Sequence, residues 1–248
     1  MKVTFVHHSC FVVELEKQIL VFDYFKDGDL HGCHFGGVLP EFDREKELYF
    51  FASHKHQDHF DLEILKLARQ YPDIHYILSK DIRLGSSYLL RHGIPLSVLE
   101  RIIFVKPDAH YTVGAVEIET LRSTDAGVAF LLEVEQKQIY HAGDLHSWTF
   151  EGSSDLLNGK MERDYKEAVS RLEGKHLAVA FVVLDGRLGR YTNDGLDYFL
   201  KHSNADVVFP MHMWQQYQVI PEYKKRCSNA AYTQHIMDVT EENQVFEL

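Results

Sequence analysis

Five consecutive apolar residues, Leu48-Tyr49-Phe50-Phe51-Ala52, run through Ser53 into the segment His54-Lys55-His56-Gln57-Asp58-His59. The first stretch reads as a buried strand, because it is short, aromatic and bounded by polar residues. The second places three imidazoles and a carboxylate in one short loop. A strand end that opens into a tight loop projects several side chains into one volume. Neutral imidazoles are the commonest ligands of borderline cations, and a carboxylate among them adds charge compensation. A helix follows in the pattern: Asp61–Arg69 carries Leu62, Ile64, Leu65, Leu67 and Ala68, with Asp61 near its start. The chain must therefore build a fold in which a core strand ends at a group of metal-competent side chains.

The remaining patterning surrounds that strand with others. Val3–Val6, Phe11–Leu15, Ile19–Phe22 and Glu47–Ala52 read as strands, and Asp27–Phe42, rich in Gly and polar residues, reads as a loop. His75–Leu78, Ile102–Val105, Val116–Leu121, Ala129–Val134 and Gln138–His141 are further strands, with a helix through Ile82–Arg91. The last third alternates: helix Lys160–Leu172, strand Ala178–Leu184, helix Asp194–His202, strand Val207–Phe209 and a helix around Ala230–Asp238. Helices placed between strands point to an α/β fold of two sheets with helices outside, spanning residues 1–248 as one domain.

Composition removes several function classes. With 26 Lys plus Arg against 37 Asp plus Glu, the net charge of −11 disfavours phosphate backbones and anionic lipid surfaces as partners. No apolar run approaches the roughly 18 residues of a membrane span, so no membrane partner is expected. Cys10, Cys33 and Cys227 lie far apart without a paired spacing, which fits a reducing cytoplasm. The expected partner is a small-molecule substrate, an anionic one included, and the composition admits a homo-oligomer.

Other residues then fall into a known pattern. Phe22-Asp23, His54-x-His56-x-Asp58-His59, His141-Ala142-Gly143-Asp144 and Met211-His212 occur in an order and spacing that resembles the metallo-β-lactamase superfamily. The short element His8-Ser9-Cys10-Phe11 is similar to the lactonase-like and phosphodiesterase-like branch that includes ascorbate-6-phosphate lactonase. The resemblance implies a four-layered αββα sandwich and a dinuclear metal centre. One metal would be bound by His54 and His56, the other by Asp58, His59 and His212, with Asp144 bridging them. The family usually supplies a third histidine after the strand read here at Val116–Leu121. This chain has Ser123-Thr124-Asp125-Ala126-Gly127 there, so Asp125 stands nearest to the missing ligand. His110 is an alternative at the wrong end of the strand, and a turn-forming aspartate is the competing reading of Asp125. An oxygen ligand in place of nitrogen tilts selectivity toward manganese, iron or magnesium relative to zinc.

Carried through, the resemblance implies a metal-dependent hydrolase that uses two divalent ions, zinc or manganese first and iron or magnesium as alternatives. A hydroxide activated by both metals would attack a small-molecule ester, lactone, thioester or phosphodiester. Asp144 would hold the metals together, and Asp58 would orient the nucleophile or accept its proton. His8, His146 and Tyr24 are candidates to stabilise charge on the attacked group, and Asp185-Gly186-Arg187 ends another strand that could face the cleft. The competing functions are an RNA or DNA phosphodiesterase on the same fold, a diiron redox protein, and a catalytically impaired metal-binding protein.

Overall fold

The computed structural model describes residues 1–248, which divide into two compact units: residues 1–106 with 242–248, and residues 107–241. The first unit holds β1 (Lys2–His7), β2 (Cys10–Glu14), β3 (Gln18–Phe22), β4 (Gly28–Leu30), β5 (Cys33–Phe35), β6 (Glu47–Ala52), β7 (Ile74–Ser79) and β8 (Ile102–Val105). Its main sheet runs in the order Gln244–Glu247, β1, β2, β3, β6, β7, β8. The hairpins from β1 to β3 are antiparallel, whereas β3, β6, β7 and β8 pair in parallel. Parallel strands are covered on both faces and so carry near-continuous apolar runs, as Leu48–Ala52 does. Val21, Phe50, Tyr76, Leu65 and Leu89 belong to the core on one face of this sheet. Each fully buried side chain of this size contributes about 1.5–3 kcal/mol.

The second unit holds β9 (His110–Val113), β10 (Val116–Arg122), β11 (Val128–Val134), β12 (Lys137–His141), β13 (His176–Val183), β14 (Asn204–Ala205) and β15 (Val208–Met211). β9 to β12 form an antiparallel meander, and β13 lies parallel to β12, β14 and β15. Both units thus present the carboxyl ends of parallel strands, where α/β sheets gather their ligand-binding loops. In the first unit those ends are Asp23 after β3 and Ser53–Asp61 after β6. In the second they are Ala142–Asp144 after β12, Leu184-Asp185 after β13 and His212 after β15.

The α/β class and most strands match the sequence reading, and several boundaries do not. Ile82–Arg91 is helical only over α1 (Ser86–Arg91), because Ile82 is held in a turn by its N–H bond to Ser79 O and Gly85 starts the helix. The segment after Asp61 is a 3₁₀ helix, Leu62–Arg69, and Asp61 caps it by accepting from the Glu63 N–H at 2.8 Å. The helix read at Lys160–Leu172 is α2 (Asp155–Ser170); it starts earlier because the Ser154 hydroxyl caps the Leu157 N–H. α3 (Asp194–His202) agrees with the reading. α4 (Val219–Arg226) was hidden by Pro221, which lies in its first turn, where no intrahelical donor is needed. The helix expected over Ala230–Asp238 is only a 3₁₀ turn, Ala231–His235. Ile236 bridges to Val208 and the Met237 N–H donates to Val208 O, which draws the chain into extended pairing with β15. The expected loop Asp27–Phe42 contains the small β4–β5 hairpin, and the edge strands β9 and Gln244–Glu247 went unread.

Candidate metal centre

In the first unit the loop after β6 gathers its imidazoles at one point. The His54 ring lies 4.4 Å from that of His56 and 4.2 Å from that of His59, centroid to centroid. His54 and His59 are fully buried, while His56 is exposed. His54 Nε2 and His56 Nδ1 stand 2.9 Å apart, and His54 Nδ1 contacts the Ser53 hydroxyl at 2.9 Å. Two nitrogens about 2.0–2.1 Å from one tetrahedral cation stand roughly 3.3 Å apart, so this pair sits close to the spacing of two ligands.

Asp58 and His8 extend the group. Asp58 Oδ2 lies 3.3 Å from His8 Nε2 and 3.6 Å from His59 Nε2. His8, Asp58 and His59 each offer a ligand atom within 4.8 Å of the others. His8 sits in the turn between β1 and β2 at φ 48°, a left-handed conformation rare for a residue with a side chain. His212 (φ 62°) and Asp23 (φ 45°) share that conformation, and such outliers concentrate at functional sites.

Asp23 explains the orientation of His59. Its carboxylate is fully buried and accepts from Ser53 N–H at 2.7 Å, the Ser53 hydroxyl at 2.6 Å and His59 Nδ1–H at 2.7 Å. An ionised carboxylate only accepts, so the His59 proton is on Nδ1 and its Nε2 lone pair points toward Asp58. This carboxylate–histidine arrangement is the usual support of a metal-ligating imidazole.

The second unit repeats the device. The buried His212 presents Nε2 at 3.5 Å from Asp144 Oδ1, and its Nδ1 donates to Asp185 Oδ2 at 3.0 Å. Arg187 grips the same carboxylate through Nε to Oδ1 at 2.9 Å and Nη2 to Oδ2 at 2.6 Å, and stacks over the Trp214 ring at 4.4 Å. Burial disfavours the Asp185 anion, but the bonds from His212 and Arg187 outweigh it and hold the carboxyl well below its usual range. Asp144 follows a turn in which Gly143, at φ 51°, donates its N–H to His141 Nδ1 at 3.1 Å. Trp148 Nε1–H donates to Asp144 O at 2.8 Å and fixes the same turn from the other side.

Asp125 follows β10 in the turn Ser123–Gly127 and is exposed. Its carboxylate offers an oxygen within 4.8 Å of one of Asp144. His110 instead opens the edge strand β9 opposite Glu119 and belongs to no donor cluster. His146 is fully buried, its ring 5.1 Å from Trp148 and 5.8 Å from Tyr165; burial lowers it to about 4 despite nearby Asp185 and Asp144, so it is neutral at pH 7. Burial pushes the Tyr24 phenol up to about 12, which leaves it a hydroxyl donor. Sequence reasoning placed Asp23 and Asp185 at strand ends without their role, because the histidines they orient lie 36 and 27 residues away.

The donor set fits divalent cations. Neutral imidazoles mixed with carboxylates suit zinc, manganese and iron. The paired atoms lie near ligand–ligand spacing, and both His59 and His212 have the far nitrogen tied to a carboxylate.

Comparison with known proteins bears on the fold and the family. Residues 2–157 match the model of the beta-lactamase superfamily domain. The metallo hydrolase Igni18 from the archaeon Ignicoccus hospitalis superposes with a TM-score of 0.61 at 18% identity, over 100% of this chain and 98% of its own. An isothiocyanate hydrolase from Delia radicum gut bacteria gives a TM-score of 0.58 at 15% identity, over 100% and 99%. CmlA, a diiron beta-hydroxylase from Streptomyces venezuelae, gives 0.58 at 12% identity, over 100% of this chain and 54% of that one. Likenesses at this identity establish a shared fold.

Proposed function

Because the chain belongs to the metallo-β-lactamase superfamily, we propose that it is a metal-dependent hydrolase. Its ligands are His54, His56, Asp58, His59, Asp125, Asp144 and His212, and its substrate is a small-molecule ester, lactone or phosphodiester. The observation that carries this reading is the pair of oriented imidazoles. His59 and His212 each have Nδ1 bonded to a buried carboxylate and Nε2 turned toward an aspartate at 3.6 and 3.5 Å. That arrangement suits cations, since a metal-ligating imidazole almost always has its other ring N–H bonded to a carboxylate, a carbonyl or water.

A pair of divalent cations in such a set would lower the pKa of water, so that a nucleophile is available near neutral pH. The chain's own residues supply the rest. Asp58 is positioned to hold the nucleophile's proton, and His8, 3.3 Å from its Oδ2, can accept or return that proton. Asp23 and Asp185 keep the imidazole tautomers fixed during the reaction. Asp125 brings a third carboxylate to the set, which favours manganese or iron more than an all-histidine site would.

The reading is tested by a screen of lactones, thioesters, phosphomonoesters and phosphodiesters with protein reconstituted with Mn²⁺ or Zn²⁺. Hydrolysis should stop on chelation and return with metal. His56→Ala and Asp144→Ala should abolish it, and undiminished hydrolysis in both variants rejects the assignment.

A further inference from the structure

The loop that carries the candidate ligands has a second face. Beside it, within the first unit, lies a cavity of about 550 Å³ lined by Lys55, Phe60, Asp81, Arg83, Leu84 and Tyr88. Lys55 stands between His54 and His56, and Phe60 directly follows His59, so the cavity wall and the candidate ligands belong to one loop. Asp81 ties the two together, since its Oδ2 accepts the Lys55 backbone N–H at 3.2 Å.

The charge at this cavity is opposite in sign to the net charge of the chain. Acidic residues outnumber basic ones 37 to 26, and several cations elsewhere are paired with carboxylates: Lys160 with Asp164, Lys166 with Glu162, Arg171 with Asp108. Lys55 and Arg83 are exposed, yet the Lys55 ammonium and the Arg83 guanidinium engage no carboxylate. The lining carries two cations against the one carboxylate of Asp81, which is already engaged by a backbone donor. The rest of the wall is apolar: Phe60 and Leu84 are half-buried, and Tyr88 is 40% exposed with its ring 4.3 Å from that of His92. A guanidinium fork and an ammonium facing one cavity recognise an oxyanion, and aromatic walls cover hydrocarbon.

We propose that this cavity is a recognition pocket for a carboxylate- or phosphate-bearing, partly apolar substrate. Lys55 and Arg83 hold the oxyanion, and Phe60, Leu84 and Tyr88 cover the hydrocarbon part. That the bound anion is a substrate rests on the hydrolase reading above, whereas its binding at this place does not. Specificity for an anion then comes from residues that adjoin the candidate ligands in the chain, Lys55 between His54 and His56 and Phe60 after His59.

The test is calorimetric binding of 4-phenylbutyrate, of phenyl phosphate and of neutral 4-phenylbutanol to metal-loaded and to chelator-treated protein. Both anions should bind both forms, more tightly than the alcohol, and affinity should fall as salt is raised. Lys55→Ala and Arg83→Ala should each weaken anion binding about five- to tenfold, and Arg83→Glu should abolish it. The tighter of the two anions identifies the headgroup. Tyr88→Ala should weaken 4-phenylbutyrate more than it weakens acetate. Both cations are exposed, so circular dichroism of the variants should match the parent. Anion binding that vanishes on chelation places the anion on the metal and overturns the proposal, as does unchanged binding in Arg83→Glu. If the hydrolase reading alone is wrong, binding by the chelated protein persists while every ester stays intact. If the pocket alone is wrong, hydrolysis continues and the two variants raise KM no more for a carboxylate-bearing ester than for a neutral one.

Discussion

Replacing Asp23 by asparagine should cost metal affinity although Asp23 is not itself a ligand. The carboxylate is fully buried and accepts three hydrogen bonds between 2.6 and 2.7 Å, two from Ser53 and one from His59. In the variant the amide oxygen can still accept from the Ser53 N–H. Its NH₂ group then stands where Oδ2 stood, facing the Ser53 hydroxyl and His59 Nδ1. The hydroxyl can rotate to accept, whereas the imidazole can accept only by moving its proton to Nε2, which removes the lone pair needed by a cation. Loss of a hydrogen bond to a charged group costs about 1.5–3 kcal/mol of stability. Loss of a carboxylate behind a ligating histidine costs about 10- to 100-fold in metal affinity, or about 1.4–2.7 kcal/mol. Asp23→Ala, which strands three buried donors, should destabilise more strongly, by about 3–5 kcal/mol. Two assays separate these effects: urea unfolding of chelated protein reads stability, and competition against a chromophoric chelator reads metal affinity. A drop in stability with affinity unchanged would refute the reasoning, because His59 Nε2 would then not be a ligand.

Three further outcomes follow from other parts of the structure. Arg187→Ala removes the guanidinium that, with His212, holds the Asp185 carboxyl low; metal affinity should fall severalfold, with a smaller loss in Arg187→Lys, both read by the same chelator competition. Burial lowers the His7 pKa from 6.5 to about 4, so the unfolded chain takes up a proton that the folded chain refuses between those values. This contribution is fully present above about pH 6.5 and is lost as pH falls toward 4, by about 3 kcal/mol in all. His7 stacks on Phe25 at 4.2 Å, so His7→Phe should keep the packing and flatten that part of the pH profile in urea unfolding; an unchanged slope contradicts the assignment. Gly37→Ala would place a methyl 2.3 Å from the Val6 carbonyl oxygen, a backbone atom that has nowhere to go, and should lower stability by about 1–3 kcal/mol in thermal unfolding.

What could be read from the sequence follows from where each type of information is stored. The strand Leu48–Ala52 and the ligand run after it are local patterns, and Asp144 and His212 stand just after the strands read at Gln138–His141 and Val207–Phe209. A carboxylate that orients a histidine has no local signature. Asp185 looks like any strand-end turn former until the His212 ring is placed 3.0 Å away. Helix α4 failed for the opposite reason, since Pro221 is a breaker by composition and harmless in a first turn. The helix expected after Ala230 lost to sheet pairing of Ile236 and Met237 with Val208, a tertiary contact that propensity does not see.

The central claim is that these histidines and aspartates are ligands of two cations. Anomalous diffraction at the manganese edge, on crystals of Mn²⁺-loaded protein, measures this most directly. The account predicts two peaks about 3.5–4 Å apart, with first-sphere atoms about 2.0–2.2 Å away drawn from His54, His56, Asp58, His59, Asp125, Asp144 and His212. No peak, or peaks coordinated by other residues, would contradict it.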